Sequence, residues 1–220
     1  MTQKFKIQVP KEHYNFRKYD DITRFISYFY QIDLVRKLKP NNVLEIGIGN
    51  KTVANYLKQN GIKIDTCDFD TNLKPDFVAD IRDLPFDNNS YDVVMACEVL
   101  EHIPWKDVDK ALNQLHRISK KNVVISIPYS SEGFELLFVF PLIGKILKKS
   151  FLNLFFRIPY FFLEMRFSGE HYWEMGKKNY PIKKIRATFG KYFKIIKEVR
   201  PILTHHHHFF ILEKKQGGAS

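Results

Sequence analysis

Residues 45–50, with the sequence EIGIGN, are of types suited to binding a ligand through the main chain. They follow a short β-branched run and precede a helical stretch, so both glycines lie where a strand turns into a helix. Glycine permits the sharp bend of such a turn and lets a ligand approach the backbone closely. Glycine pairs also occur in turns that serve packing alone. The segment by itself leaves a binding role and a structural role equally open.

Two acidic residues favour the binding role. Asp68 lies 21 residues after Gly47, at the end of a second predicted strand, and Asp80 ends a third. A carboxylate in the first position can accept hydrogen bonds from both hydroxyls of a ribose, as in dinucleotide-binding folds. Because parallel strands end along one edge of a sheet, we expect these side chains and the glycine turn to line one crevice.

The elements that position these residues alternate between strands and helices. A helical pattern starts near Ile22 and stops before Pro40, and a further helix is predicted at residues 106–119. The alternation predicts an α/β domain with a parallel sheet covered on both faces. A late helix at 181–190 precedes two more strands. The predicted early strands are residues 43–47, 62–70, 76–80, 91–97 and 123–128.

Composition excludes several other classes of protein. A hydrophobic fraction of 45% excludes intrinsic disorder, and two cysteines in 220 residues exclude a disulfide scaffold. The longest uncharged stretch of the apolar region, residues 136–144, is far shorter than the ~20 residues that a membrane-spanning helix needs. The N-terminus has no apolar core of the signal-peptide type, so we expect a cytoplasmic protein.

The net charge of +11 is unevenly distributed. Residues 1–133 hold 19 basic and 18 acidic groups, a net charge of +1, whereas residues 134–220 hold 16 and 6, a net charge of +10. Residues 134–167 also contain 9 of the 20 phenylalanines. The basic groups and the aromatic groups therefore concentrate in the same part of the chain.

Five segments together resemble the class I S-adenosylmethionine-dependent methyltransferases: EIGIGN, CDFD, VADIRDLPF, NNSYDVVMACEVLEHI and KNVVISIP. The closest likeness is to the small-molecule branch that includes quinone-biosynthesis methyltransferases. It runs continuously over residues 41–129 and more loosely over the terminal strands. The resemblance implies a Rossmann-like seven-stranded sheet of order 3-2-1-4-5-7-6, with helices on both faces and an antiparallel last strand.

The resemblance also implies a cofactor, S-adenosyl-L-methionine, and residues that hold it. Glu45, Gly47 and Gly49 would shape the pocket for its methionyl part. Asp68 would bind the ribose hydroxyls, and Phe69 would lie beside the adenine.

Further along the chain, Asp80 would face the adenine amino group, and Ile81 would pack on the ring. Cys97 and Glu98 would border the methionyl moiety near the sulfonium. One residue departs from the family pattern, because Lys51 stands where such turns usually carry a third glycine. Either its side chain points to solvent or cofactor binding is altered, and we favour the first.

Methyl transfer from a sulfonium needs a positioned nucleophile and sometimes a base. His102 lies just past the fourth strand and is the best candidate base, although a structural role at a helix start competes with it. His171 and Glu174 could reach over the pocket from the segment GEHYWEMG, where a turn that packs the insertion is the alternative. Glu101 is assigned a structural role.

We expect a single domain over residues 1–220, with an N-terminal arm and helix at 1–40 and a cofactor-binding core at 41–129. An apolar helical insertion at 130–180 would form a substrate cap, before the terminal helix and strands at 181–215. Its aromatic residues, flanked by Lys and Arg, suit a hydrophobic or lipid-linked small-molecule acceptor and suit peripheral contact with a membrane surface. Nucleic acid is a weaker candidate partner, because the aromatic residues cluster with aliphatic ones.

Two rival functions stay open: an RNA methyltransferase that uses the basic C-terminal face, and a cofactor-binding protein that has lost catalysis and binds a partner through its insertion. A nicotinamide-dependent reductase is disfavoured, because the turn lacks the G-x-G-x-x-G pattern. We assign no metal site, because alternation along a strand would separate the imidazoles of residues 205–208. Cys67 and Cys97 would lie about 10 Å apart, two interstrand spacings, which is too far for a disulfide.

Overall fold

The computed structural model describes residues 7–140, 151–165, 167 and 169–216. A 3₁₀ turn (Lys11–Tyr14) and a short helix α1 (Phe16–Tyr19) precede the long helix α2 (Ile22–Leu38). The Asp21 carboxylate caps α2 by accepting a hydrogen bond from the backbone N–H of Arg24 at 2.8 Å. The chain leaves α2 through Lys39, in the left-handed conformation, immediately before Pro40.

The main sheet has seven strands in the order β3-β2-β1-β4-β5-β9-β8. Strands β1 to β5 run parallel, whereas β9 is antiparallel to both of its neighbours, so the predicted order and the antiparallel strand are confirmed. The strands are β1 (Asn42–Ile46), β2 (Lys63–Asp68), β3 (Phe77–Val78), β4 (Tyr91–Cys97), β5 (Ser119–Pro128), β8 (Phe193–Val199) and β9 (His207–Lys214).

Helices cover both faces of this sheet. Helix α3 (Thr52–Gln59) packs with α2 in a core cluster on one face, and α4 (Trp105–Ile118) packs with α5 (Ile182–Gly190) in a cluster on the other. Successive residues of the central strands alternate between the two clusters, as the period of a strand requires. The buried core therefore holds the carboxyl edge of the sheet, and the glycine turn on it, in a fixed position.

The insertion after β5 is not helical where the structure describes it, and this part of the prediction is wrong. Strands β6 (Ser131–Phe138) and β7 (Leu152–Pro159) form a separate antiparallel two-stranded ribbon. Successive residues of the ribbon alternate between its two faces, but the density of aromatic residues hid this period of two in the sequence. Residues 141–150 lie outside the described part of the chain.

The two faces of the β6–β7 ribbon differ in character. On the inner face, Arg200 forms an ion pair with Glu135 at 2.8 Å, lies over the ring of Phe155 and donates to Asn153. The outer face is apolar and exposed, with cross-strand pairs of large side chains: Phe134 with Phe156, Leu136 with Leu154, and Phe138 with Leu152. In the part of the chain that is described, no helix has the length and apolar character needed to cross a membrane.

Candidate functional site

A cavity of about 400 Å³ opens at the carboxyl edge of the sheet, where β1, β2 and β4 end. Open α/β sheets bind ligands in this crevice. The residues named from the sequence for the cofactor line it, and so do the two candidate catalytic histidines: Glu45, Gly47, Gly49, Asp68, Phe69, Asp80, Ile81, Cys97, Glu98, His102 and His171. Glu174, named beside His171, is not among the lining residues.

The turn after β1 requires glycine for conformational and steric reasons. Gly47 has φ of +78°, and a Cβ there would lie 2.4 Å from Cγ2 of Val99. Gly49 has φ of +47°, and its missing Cβ leaves room for the ring of Tyr14. Lys51 has a left-handed backbone conformation, which explains why a glycine would suit this position. The Lys51 ammonium donates a hydrogen bond to the carbonyl of Lys74. Lys51 is not among the residues that line the cavity.

Asp68, at the end of β2, organises this turn. It is 7% exposed. One carboxylate oxygen accepts from the backbone N–H of Ile48 at 3.0 Å, and the other accepts from the N–H of Asp70 at 2.9 Å. Burial raises its pKa, and these hydrogen bonds oppose the rise. Each oxygen keeps a further lone pair for a ligand in the cavity.

Glu45 carries an unsatisfied acceptor at the same end. Its Oε2 atom is buried and has no hydrogen-bond partner among the described residues. Burial raises the pKa of this carboxyl to about 8. Asp80 is held differently, because its carboxylate pairs with the Arg82 guanidinium, with Nε of Arg82 at 2.7 Å from Oδ1. Burial opposes ionisation of Asp80, but the Arg82 hydrogen bonds prevail and lower its pKa.

The N-terminal arm forms a wall of the cavity that the sequence analysis missed. Gln8 and His102 form two hydrogen bonds, one through each polar atom of the Gln8 amide, at 3.2 and 3.0 Å. A chain of edge-to-face ring contacts joins His13, Tyr14 and Tyr19. The tyrosines of residues 14–28 were the available signal, but in a single sequence nothing distinguished them from packing residues. Arm residues on the wall are Gln8, Val9, His13, Tyr14, Tyr19, Arg24, Tyr28 and Gln31.

The two candidate catalytic histidines lie next to each other, with ring centroids 4.9 Å apart. His102 also places Nδ1 at 3.2 Å from the carbonyl oxygen of Glu170, so this nitrogen carries the proton and Nε2 is left as the acceptor. Burial lowers the pKa of His102 to about 4, so its ring is neutral at pH 7. His171 uses Nδ1 against the Glu174 carboxylate at 2.9 Å.

The histidine run before β9 also contributes to the cavity. His206 and His207 line it, and Nε2 of His207 lies 3.8 Å from the Glu98 carboxylate. His208, the next residue of β9, contacts the Glu198 carboxylate at 2.9 Å, so strand alternation separates it from His207. His206 and His207 stay together, with ring centroids 4.4 Å apart, so the predicted separation of all four imidazoles is wrong. Four histidines ahead of a closing strand were visible in the sequence, but their position over the cavity depends on the pairing of β9 with β5.

The chain was compared with known families and structures. Residues 44–127 match a family model described as a methyltransferase domain. The search of curated proteins found no match. The fold is similar to that of magnesium protoporphyrin IX methyltransferase from Synechocystis PCC 6803 with bound S-adenosylhomocysteine. The TM-score is 0.59 at 15% identity, over 91% of this chain and 88% of that one.

Two further structures share the fold. One is 1,6-didemethyltoxoflavin-N1-methyltransferase from Burkholderia thailandensis, with a TM-score of 0.59 at 13% identity over 93% of this chain and 85% of that one. The other is a small RNA methyltransferase, with a TM-score of 0.55 at 12% identity over 88% of this chain and 25% of that one. The matched segment, the sheet order and the glycine turn with Asp68 agree: residues 44–127 form a methyltransferase domain, and the chain as described has the Rossmann-like fold of S-adenosylmethionine-dependent methyltransferases.

Proposed function

We propose that the chain transfers the methyl group of S-adenosylmethionine to a small acceptor that is hydrophobic or lipid-linked. One observation carries the proposal. A single chamber is lined by the glycine turn and Asp68, by tyrosines of the N-terminal arm, of which Tyr14 lies against Gly49, and by His102, His171, His206 and His207. Such a chamber suits a compact acceptor that must meet the cofactor away from water.

The residues at the sheet edge fit the cofactor. The unpartnered Oε2 of Glu45 provides an acceptor for a cationic amino group, and the missing Cβ atoms of Gly47 and Gly49 keep the main chain accessible. We assign the ribose hydroxyls to the free lone pairs of Asp68 and the adenine side to Phe69.

Other lining residues complete the proposed cofactor site. We place Asp80 and Ile81 with Phe69 on the adenine side, and Cys97 and Glu98 near the sulfonium. The Glu98 carboxylate is fixed there by the Ser126 hydroxyl, which donates to it at 2.7 Å. S-adenosylmethionine supplies an activated methyl group when it is bound. The protein then has to orient the acceptor, exclude water and receive a proton where the nucleophile carries one.

The proposed acceptor chamber lies beside His102 and His171. Both rings have Nδ1 occupied by a fixed hydrogen-bond acceptor, so each presents Nε2 as its remaining nitrogen. The low pKa of His102 makes it a weak proton acceptor at pH 7, but leaves it a neutral hydrogen-bond acceptor. We therefore propose that these histidines hold and orient the acceptor, and that proton removal is secondary.

The ribbon supports an acceptor that comes from a lipid phase. Its outer face is apolar, with Phe134 58% exposed and Phe156 69% exposed. Arg157 does not lie at the edge of this face, because it is turned inward over the Tyr129 ring and donates to the His205 carbonyl. Lys145, Lys148, Lys149 and Arg166 fall outside the described residues. We propose that the outer face of the ribbon contacts a membrane surface; a cytoplasmic location stays a prediction.

An RNA acceptor is the second candidate, because the basic C-terminal region and the shared fold both permit it. Several of these cations are engaged by carboxylates or rings. Arg186 pairs with Glu198, Lys191 pairs with Asp109, and Lys184 lies over two aromatic rings. Cations in such contacts are less available to phosphates. This favours the small acceptor.

Incubation with S-adenosylmethionine labelled in its methyl group tests the acceptor class. Total lipid extract and total RNA are offered in parallel reactions, and transfer is followed into the organic phase and into RNA. We expect label in the organic phase, and none with Asp68→Ala. Label that enters RNA alone, or label in neither fraction, contradicts the proposal.

Flotation with vesicles tests the membrane contact separately. We expect part of the protein to float with vesicles that contain anionic lipid at low salt. Protein that stays entirely in the unbound fraction contradicts a membrane role for the ribbon, and leaves the proposed acceptor class to the labelling experiment.

A further inference from the structure

A cluster of potential metal ligands lies on the acceptor side of the cavity. Glu101, His102 and His171 each offer a ligand atom, and these atoms all lie within 4.8 Å of one another. They come from two separate segments, the turn after β4 and the stretch after the ribbon. Oε1 of Glu101 lies 4.0 Å from Nε2 of His102.

Glu101 is a buried carboxylate without a partner. Its side chain is fully buried, and neither carboxylate oxygen has a hydrogen-bond partner among the described residues. Yet the residue lines the cavity. Leaving a carboxyl group buried and unpaired costs several kcal/mol in general, so native proteins pair such groups or use them to bind metals. Its surroundings therefore indicate an absent ligand.

Both histidines are oriented as metal-binding histidines are. Metal-ligating imidazoles usually donate their other N–H to a carboxylate or a carbonyl, which fixes the tautomer and the ring. His102 directs Nδ1 at the Gln8 and Glu170 oxygens, and His171 directs Nδ1 at the Glu174 carboxylate. The Ser130 hydroxyl in turn donates to Glu174. In each ring, the nitrogen left for a ligand is Nε2.

We propose that Glu101, His102 and His171 bind a divalent first-row transition-metal ion. One carboxylate and two imidazoles form a donor set that suits Zn²⁺, Fe²⁺, Co²⁺ or Mn²⁺ and leaves coordination positions open. The ion neutralises the buried carboxylate and binds the two Nε2 atoms, so the histidines then hold the acceptor through the ion and not by direct hydrogen bonds. We expected no metal from the sequence, where Glu101 was assigned a structural role and the histidine run at residues 205–208 was the metal candidate considered.

The bound ion would also restrict which acceptors can react, and this step rests on the proposed function. Open coordination positions facing the cavity would take an oxygen of the acceptor, and a bound cation lowers the pKa of a hydroxyl. The site then selects a hydroxyl-bearing acceptor, whose O–H proton is released to solvent before the oxygen reaches the methyl group. This narrows the reaction to O-methylation.

Metal binding is measured on the full chain after removal of metals with a chelator. The protein is titrated with Zn²⁺ by calorimetry and with Co²⁺ by its visible absorption, and S-adenosylhomocysteine binding is measured on the same samples. We expect one equivalent of metal to bind, and Glu101→Gln and His171→Gln each to weaken binding by about 100-fold or more. Both variants should still bind S-adenosylhomocysteine, which shows that they are folded.

His205→Gln is the matched control, because His205 belongs to a histidine run that could bind metal ions by itself. We expect this variant to bind metal like the unaltered chain. The inference is overturned if the unaltered chain binds no stoichiometric metal. It is also overturned if His205→Gln loses metal binding while Glu101→Gln and His171→Gln bind metal normally. Metal binding without S-adenosylhomocysteine binding would instead contradict the proposed function, so the two failures are distinguishable.

Discussion

The two ends of the cavity are built in different ways. The proposed cofactor end comes from the ends of neighbouring strands. Its key carboxylate, Asp68, accepts hydrogen bonds from two backbone N–H groups, that of Ile48 in the glycine turn and that of Asp70, two residues further along the chain. The proposed acceptor end comes from distant segments: Gln8 of the arm, the turn after β4, the stretch after the ribbon and the histidines at the start of β9. There, Glu101 is buried, and its carboxylate has no hydrogen-bond partner in the described part of the chain.

This difference separates backbone geometry that belongs to the fold from side chains that would select the proposed acceptor. A local strand–turn–helix unit fixes the cofactor end through backbone geometry, which any chain with this turn reproduces. The acceptor end depends on side chains that tertiary structure brings together. We therefore expect substitutions at one end to alter cofactor affinity, and substitutions at the other to alter acceptor use or metal binding.

The largest expected effect is at the cofactor end. Asp68→Ala removes the acceptors proposed for two ribose hydroxyls, and hydrogen bonds to charged groups contribute about 1.5–3 kcal/mol each. Affinity for S-adenosylhomocysteine should fall about 100-fold or more by calorimetry. Asp65→Asn is the control, since Asp65 lies earlier on β2 and bonds the Tyr91 hydroxyl. Equal losses in both variants would indicate general damage to the sheet.

Substitutions on the outer face of the ribbon should affect vesicle binding next most strongly. Phe134→Ser with Phe156→Ser removes an exposed cross-strand pair. Burial of their exposed area in lipid contributes about 1 kcal/mol each, so partitioning should fall about 30-fold. Phe29→Ser, at an exposed phenylalanine of α2, should leave vesicle binding unchanged. If Phe29→Ser reduces binding equally, the ribbon has no special role.

A smaller effect is expected at the acceptor end. His206→Gln changes a ring on the chamber wall that contacts His207, at a ring-centroid distance of 4.4 Å. We expect kcat/KM for the labelled acceptor to fall about 10-fold with cofactor affinity unchanged, because in the proposed arrangement the His206 ring contacts the acceptor and not the cofactor. A loss of cofactor affinity in this variant would contradict the division of the cavity into two ends.

The smallest expected signal is a proton released when the cofactor binds. Glu45 has a pKa of about 8 in the free protein and is therefore mostly protonated at pH 7. A cationic ligand beside Oε2 lowers that pKa, so binding should release close to one proton. Calorimetry in buffers of different ionisation enthalpy measures this number. We expect no proton release for Glu45→Gln. Equal proton release in the unaltered chain and in this variant would show that Glu45 does not contact the cationic group of the cofactor.

The same contrast explains which parts of the molecule the sequence predicted. The alternation of strands and helices, the glycine turn and the acids at strand ends were predicted from local signals, namely β-branched runs, glycines after a strand and the spacing of Asp68 and Asp80. The sheet order and the other cofactor residues were predicted from the family resemblance. The ribbon was predicted as helices, because its aromatic density hid a period of two and cross-strand partners such as Phe134 and Phe156 lie far apart in sequence. The division of the chain into a core and a cap stays a prediction.

The acceptor end was found only in part. His102 and His171 were named one at a time, but their proximity requires the fold, because Tyr172 donates its backbone N–H to the carbonyl of Glu101 at 2.8 Å and so holds the two segments together. The arm and His206 were missed for the same reason. Such contacts join residues far apart in the chain, and a single sequence contains no local pattern that pairs them.

Calorimetric titration of the unaltered chain with S-adenosylmethionine, S-adenosylhomocysteine and NADH decides whether the cavity is an S-adenosylmethionine site. We expect both sulfur ligands to bind with one-to-one stoichiometry at the end of the cavity that Asp68 organises, and NADH not to bind. If neither sulfur ligand binds at millimolar concentration, or if NADH alone binds, the assignment of the cavity to S-adenosylmethionine is wrong.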